Sequence, residues 1–250
     1  MNRDNKEFIF GIRPVIELLL AGKEVEKILL QRDQQGGVVN ELVVEASKLK
    51  VPILRVPIEK LNTVTRKNHQ GVIAFVSPII YASLDNIVTE TFAAGKEPFL
   101  LILDRITDVR NFGAIARTAE FLGVNALVVP NRGGAMISAD AVKTSAGALG
   151  YIPVCREENL KNTLSYLKEC GLIIAACTEK ASTLIYNTNL AGPIAIIMGS
   201  EENGISEEYL KKADLSIKIP ALGAIESLNV SVATGMVLSE VIRQRTMVIQ

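Results

Sequence analysis

Tryptophan is absent from this sequence, histidine occurs once (His69), and cysteine three times, at Cys155, Cys170 and Cys177. Aromatic residues make up only 5% of the chain. The cysteines form no Cys-x-x-Cys pair, and a single imidazole leaves no zinc site from the usual ligands. Reduced thiols and no metal are therefore expected. No apolar run approaches the ~18 residues that a membrane span needs. Residues 1–7 are polar, and Arg13 and Pro14 interrupt the apolar stretch behind them, so no signal peptide is expected. Two nucleotide fingerprints are also missing: there is no Gly-x-x-x-x-Gly-Lys-Ser/Thr, and no Gly-x-Gly-x-x-Gly after any predicted strand. A soluble cytoplasmic protein, outside the common nucleotide-binding classes, is the expectation.

What is present is an aliphatic α/β composition. The 250 residues are 48% apolar and 22% charged, enough for one large or two small domains with a sizeable core. The formal net charge is zero, which ordinarily argues against nucleic acid. The charge is unevenly placed, however. Residues 1–78 carry 12 Lys+Arg against 9 Asp+Glu, a net of +3, and residues 79–250 carry 15 against 18, a net of −3. This leans slightly toward an RNA partner for the first part.

Periodicity divides the chain. Residues 8–20 have helical spacing, 25–30 read as strand, 38–49 as helix, 51–56 as strand, 58–61 as a helical turn and 72–76 as strand. That is a small α/β unit over 1–78. Residues 79–97 are mixed and read as a linker with a short helix at 84–93. From 98 onward the apolar run 99–103 predicts a buried parallel strand. Helices are expected at 111–122, 139–148, 160–170 and 207–213, with strands at 126–129, 172–176, 194–198 and 215–219. A last helix runs to Arg245. A mostly parallel sheet with helices on both faces follows for 98–250.

Three loops at predicted strand ends, where open α/β sheets bind ligands, are rich in polar or small residues. The first runs from Asp104 through Asn111, which alone reads as an N-cap, to Arg117, which alone reads as a solvated charge. The second, Gly199-Ser200-Glu201-Glu202-Asn203-Gly204, is a glycine-bracketed acidic turn suited to a cation or to orienting an arginine. The third opens after Ile219-Pro220 and enters the last helix, with Ser227 as the expected N-cap and small or polar residues at Asn229, Ser231, Thr234 and Gly235. Taken singly, each loop fits a structural role as well as a functional one.

Together they resemble a known family. Asn111-Phe-Gly-Ala-Ile-Ala-Arg117, then Gly199-Ser-Glu201-Glu-Asn-Gly204, then Ile219-Pro220-Ala-Leu-Gly223 and Ser227-Leu228-Asn229-Val-Ser231 look like the ordered motifs of the SpoU class of RNA ribose 2′-O-methyltransferases. Phe10-Gly11-Ile12 and His69-Gln70-Gly71-Val72 resemble that family's substrate-binding domain. The match is closest to the subgroup that methylates a guanosine ribose in 23S ribosomal RNA, although Val109-Arg110 stands where that subgroup often has Pro-His; an enzyme acting on a transfer RNA ribose is the nearer alternative, and a non-enzymatic RNA-binding scaffold of the same fold the more distant one. The resemblance implies a trefoil-knotted α/β domain, a homodimer and S-adenosylmethionine as methyl donor. It assigns Gly199, Ile219 and Leu228, with the adjoining Pro220 and Gly223, to the cofactor. It assigns Asn111, Arg117, Glu201, Ser227 and Asn229 to catalysis, with Glu201 orienting Arg117 or Asn111. Candidate RNA contacts are Arg13, Arg66, Lys67, His69 and Arg110, and His69 equally fits a strand cap. The family proposal makes the motif arginine, here Arg117, the proton acceptor. A guanidinium holds its proton too tightly to suit that role. The alternative is a charged clamp that grips phosphate and stabilises the developing alkoxide.

Overall fold

The computed structural model describes residues 8–224 and 227–248. Two compact units emerge, one of residues up to 80 with 137–139, the other of 81–136 with 140–250.

In the first unit, β1 (Phe8–Phe10), α1 (Ile12–Leu20), β2 (Val25–Gln31), α2 (Gly37–Lys48), β3 (Ile53–Val56), α3 (Ile58–Val64) and β4 (Val72–Val76) follow in order. Their sheet runs β1-β4-β2-β3, with β4 antiparallel to both neighbours and β2 parallel to β3. The helical spacing over 8–20 is broken at its start. Residues 8–10 pair with β4, and Gly11 turns the chain at φ 96° before α1 begins. Val15, Ile16 and Leu19 of α1 meet Val39, Leu42 and Ala46 of α2 over Ile28, Leu30 and Ala74 of the sheet. One aliphatic stripe per helix thus closes this small core.

The second unit contains α4 (Leu84–Ala93), β5 (Phe99–Leu103), α5 (Val109–Phe121), β6 (Ala126–Pro130), α6 (Ala139–Thr144), β7 (Val154–Glu157), α7 (Leu160–Glu169), β8 (Ile173–Cys177), β9 (Thr183–Leu184), β10 (Ile194–Met198), α8 (Glu207–Leu210), β11 (Leu215–Lys218) and α9 (Val230–Val248). Seven strands form one sheet in the order β7-β6-β5-β10-β8-β11-β9, and every pair is parallel. All five residues of β5 and of β10 are buried. Leu100, Ile102, Ala195 and Ile197 face a core shared with α4 and α7. The alternate residues Leu101, Leu103, Ile196 and Met198 are buried as well. Two covered faces are what an unbroken aliphatic strand requires.

Several local expectations change. The expected short helix at 84–93 is there as α4, but its Leu84 and Val88 are buried in the second unit's core, so this part of 79–97 packs as part of that unit. β7 lacks a continuous apolar run, yet it pairs with β6 along Val154–Glu157. The small-residue helix stops at Thr144, and a 3-10 turn occupies Ala148–Gly150 after Gly147 at φ 89°.

Strand order places the site. The chain steps outward from β5 through β6 to β7, whereas β8, β10 and β11 lie on the other side of β5. The direction of winding therefore reverses between β5 and β10, and the loops leaving their C-terminal ends diverge there to leave a crevice.

Candidate active site

The loop after β5 enters α5, but the residue that starts the helix is Asp108. Its carboxylate accepts from the backbone N–H groups of Arg110 and Asn111 at 2.8 and 2.9 Å. Asn111, expected as the cap, is freed by this and points its carboxamide at the neighbouring loops. Its Nδ2 donates to Glu201 Oε1 at 3.2 Å, and its Oδ1 accepts from Asn229 Nδ2 at 2.9 Å.

Asn229 does two jobs. Its Oδ1 accepts from the N–H groups of Ser231 and Val232 and from the Ser231 hydroxyl, which makes it the side chain that caps α9. Its Nδ2 donates to Glu201 Oε1 at 2.6 Å. The expectation for Ser227 is thus corrected. Ser227 is exposed, and α9 begins three residues later, where the Asn229 side chain reaches the helix donors. Glu201 Oε1 also accepts from the Val230 N–H at 3.1 Å. One carboxylate oxygen therefore gathers three donors at the positive end of a long helix, a favourable place for negative charge. Asn111 after β5, Glu201 after β10 and Asn229 before α9 form a single cluster.

Arg117 stands apart from it. Six residues along an α-helix is about 9 Å of rise and about 120° of rotation away from Asn111. Its exposed side chain makes no hydrogen bond or ion pair with any described residue. It lines a groove of about 550 Å³ with Thr118, Phe121, Ser145, Ala146 and Tyr151. Of the two partners expected for Glu201, the structure supplies Asn111.

The second loop owes its shape to its glycines. A side chain at Gly199 would collide with the backbone of Gly204 and Ile205, so only glycine fits where the loop doubles back. Gly204 has φ 61°, and its N–H and C=O exchange hydrogen bonds with Ser200. Asp104 and Arg105, singled out by no motif, tie this loop to β5 through Ser206 and Gly204. An acid immediately after an apolar strand was the available signal.

The third loop, 219–224, runs from the half-buried Ile219 and Pro220 to exposed residues 221–224. Leu222 is fully exposed and Leu228 about half exposed. A side chain at Gly223 would meet nothing within 4 Å. The N–H groups of residues 221–224 bond to no described residue. Backbone N–H groups without a described partner, beside exposed leucines, leave this loop open to a ligand that offers hydrogen-bond acceptors and an apolar face.

In the first unit, Arg13 pairs with Glu41 at 3.0 Å, and the Lys67 ammonium lies 6.0 Å from the Phe10 ring centre. Arg66 is exposed there, and so is Arg110 at the start of α5 in the second unit. His69 is different: it is 6% exposed, its Nδ1 accepts from the Gly71 N–H, and its Nε2 meets Asn62 Oδ1 at 3.1 Å. Both ring nitrogens are engaged in holding the turn before β4. The strand-capping alternative fits this geometry, and a direct RNA contact through the ring does not.

Parallel strands, a switch-point crevice and a polar cluster shared by three loops define an α/β enzyme that works at the C-terminal edge of its sheet. Comparison with known proteins narrows this. Residues 98–239 match the model of the SpoU rRNA Methylase family, and residues 8–82 match that for RNA 2′-O ribose methyltransferase substrate binding. A putative TrmH family tRNA/rRNA methyltransferase of Staphylococcus saprophyticus is 36% identical, over 95% of each chain. One from Bacillus subtilis is 34% identical, over 96% of each. The fold is similar to that of the SpoU methyltransferase AviRb from Streptomyces viridochromogenes in complex with AdoMet. There the TM-score is 0.62 at 22% identity, covering 97% of this chain and 91% of that one. The chain belongs to the SpoU methylase family and is an RNA methyltransferase.

Proposed function

We propose that the protein transfers a methyl group from S-adenosylmethionine to a ribose 2′-hydroxyl, that of a guanosine in 23S ribosomal RNA. The observation that carries this reading is the Asn111–Glu201–Asn229 cluster at the sheet edge from which the 219–224 loop also leaves. Gly199, Ile219, Pro220, Gly223 and Leu228 would hold the cofactor, which supplies an activated sulfonium methyl. The methyl being activated, the chain's own task is to place the hydroxyl in line and to handle its charge and proton. Asn229 and Ser227 hold the loop and offer hydrogen bonds to the ribose, with Asn111 and Asn229 fixed through Glu201. Arg117 would grip a phosphate of the RNA and stabilise negative charge developing on the hydroxyl oxygen, whose proton would leave to water or phosphate while the demethylated thioether is the leaving group. The first unit supplies further RNA contacts through Arg13, Arg66 and Lys67, with Arg110 near the site.

A homodimer is part of the proposal. Val232 and Met236 on α9, Phe121 on α5 and Tyr151 are all exposed apolar or aromatic groups, and a second copy is the occupant that would cover them. A knotted chain is another part: β10 enters between β5 and β8, although β8 and β9 precede it, and α9 returns onto α5. No helix among the described residues is long and apolar enough to cross a membrane; a cytoplasmic enzyme, where a ribosomal RNA substrate would be met, is part of the proposal.

Transfer RNA is the competing substrate, since the relatives are named for both RNAs. Mapping ribose methylation across cellular RNA with and without the gene decides between them. One lost site in 23S rRNA supports the proposal, a lost tRNA site redirects it, and an unchanged map removes it.

A further inference from the structure

Asp104 follows β5 directly and is 2% exposed. Its Oδ2 accepts from the Ser206 N–H and from the Ser206 hydroxyl, both at 2.7 Å. The Arg105 guanidinium clasps the same carboxylate, Nε to Oδ1 at 3.1 Å and a terminal nitrogen to Oδ2 at 3.2 Å. That terminal nitrogen also donates to the Gly204 carbonyl at 3.2 Å. Arg105 has φ 56°, a backbone region that residues with a side chain seldom adopt. A non-glycine residue held there needs surrounding structure to hold it. The clasp on Asp104 and Gly204 is that structure.

These bonds act at the far end of the turn that carries Glu201. The near end leaves β10 at Gly199, and the bonds exchanged by Ser200 and Gly204 close the turn. Glu201 itself is exposed, so no packing fixes its carboxylate. Its alignment with Asn111 and Asn229 depends on where the two ends of the turn are held. We infer that Asp104 and Arg105 are positioning residues for methyl transfer, holding the Glu201 turn in register with the Asn111 and Asn229 carboxamides. The inference rests on the assignment of that cluster to catalysis.

A double-mutant cycle tests it, because residues acting through one another show non-additive effects. The full-length protein is assayed for single-turnover transfer from radiolabelled S-adenosylmethionine, with total RNA from a gene-deleted strain as acceptor. Melting temperature and S-adenosylmethionine affinity are recorded alongside. Arg105→Ala should slow transfer about tenfold while cofactor affinity stays within about twofold, and Arg105→Lys should recover part of the rate. In a Glu201→Gln background, Arg105→Ala should cost less than about twofold more. Losses that multiply independently, or a wild-type rate in Arg105→Ala beside a slow Glu201→Gln, overturn the positioning role alone. A wild-type rate in Glu201→Gln overturns the catalytic cluster, and the positioning role with it. Should Arg105→Ala not fold, Ser206→Ala removes one bond to Asp104, leaves the ion pair, and must show the same non-additivity.

Discussion

The carboxamide of Asn229 donates to Glu201 Oε1 at 2.6 Å, while its own oxygen accepts from the first turn of α9. One side chain thus starts the C-terminal helix and joins it to the loop after β10. The two roles separate by substitution. Asn229→Ala removes both, and should lose methyl transfer together with about 1 kcal/mol of stability from the missing cap. Asn229→Asp keeps the cap acceptor but sets a second carboxylate against Glu201. It should melt close to wild type and still lose transfer. A fully active Asp variant would mean that the Asn229–Glu201 bond has no catalytic part.

Arg117 is exposed, with no partner among the described residues, so within one subunit its removal costs the fold little. Arg117→Ala is expected to melt within about 1 °C of wild type and to bind S-adenosylmethionine normally. Its transfer rate should fall by about 10² to 10³, the scale of losing one charge-stabilising donor. Arg117→Lys keeps the charge without the planar fork. A rate between those of Ala and wild type separates charge from fork geometry. Unchanged turnover in Arg117→Ala would falsify any role for it in the reaction.

Cys155 is 0% exposed, and burial, with Glu157 adding to it, pushes its thiol up from about 9.0 to about 12. In the unfolded chain the thiol ionises near 9 and releases a proton that the folded chain keeps. The unfolded state then binds fewer protons, so stability falls as pH rises. Ionisation of this thiol should leave stability unchanged below about pH 8. Between about 9 and 12 it should cost about 1.4 kcal/mol per pH unit. Denaturant melts of wild type and Cys155→Ala over pH 7–11 check this. The stability difference should stay flat up to about pH 8 and then shift against wild type, and a difference flat throughout contradicts the shift. Slow alkylation of Cys155 in the native protein is the corresponding chemical expectation.

The parallel sheet was readable because β5 and β10 are unbroken aliphatic runs, which only a strand covered on both faces accommodates. The three loops were readable because glycine, asparagine and acid cluster at those strand ends. What escaped reading was pairing that leaves no periodic mark. Phe8–Phe10 shares the spacing of the helix after it, and only its partnership with Phe75 and Ile73 makes it a strand. Capping was misplaced by a few residues at both site helices, since Asp108 and Asn229 compete with Asn111 and Ser227 as cap candidates. Backbone geometry decides that contest. His69 seemed available for RNA as a polar residue in a polar turn, and its burial depends on Asn62 and Gly71 folding over it.

Two glycines of the site loops differ in what requires them, and this separates fold from ligand. A methyl group at Gly199 would run into the backbone of Gly204 and Ile205, which cannot swing aside as a long side chain can. Gly199→Ala should therefore destabilise the protein by about 1–3 kcal/mol, lowering the melting temperature whether or not cofactor is present. Gly223 has open space where a side chain would go. Gly223→Val should melt as wild type in the absence of cofactor. If the 219–224 backbone closes on S-adenosylmethionine, the added side chain occupies the ligand's space. Calorimetry should then show at least tenfold weaker binding, and the thermal shift that saturating cofactor gives the wild type should shrink with it. Normal affinity in Gly223→Val would move the cofactor away from this loop. Normal stability in Gly199→Ala would mean that the turn after β10 can open, which the close contact of its two strands argues against.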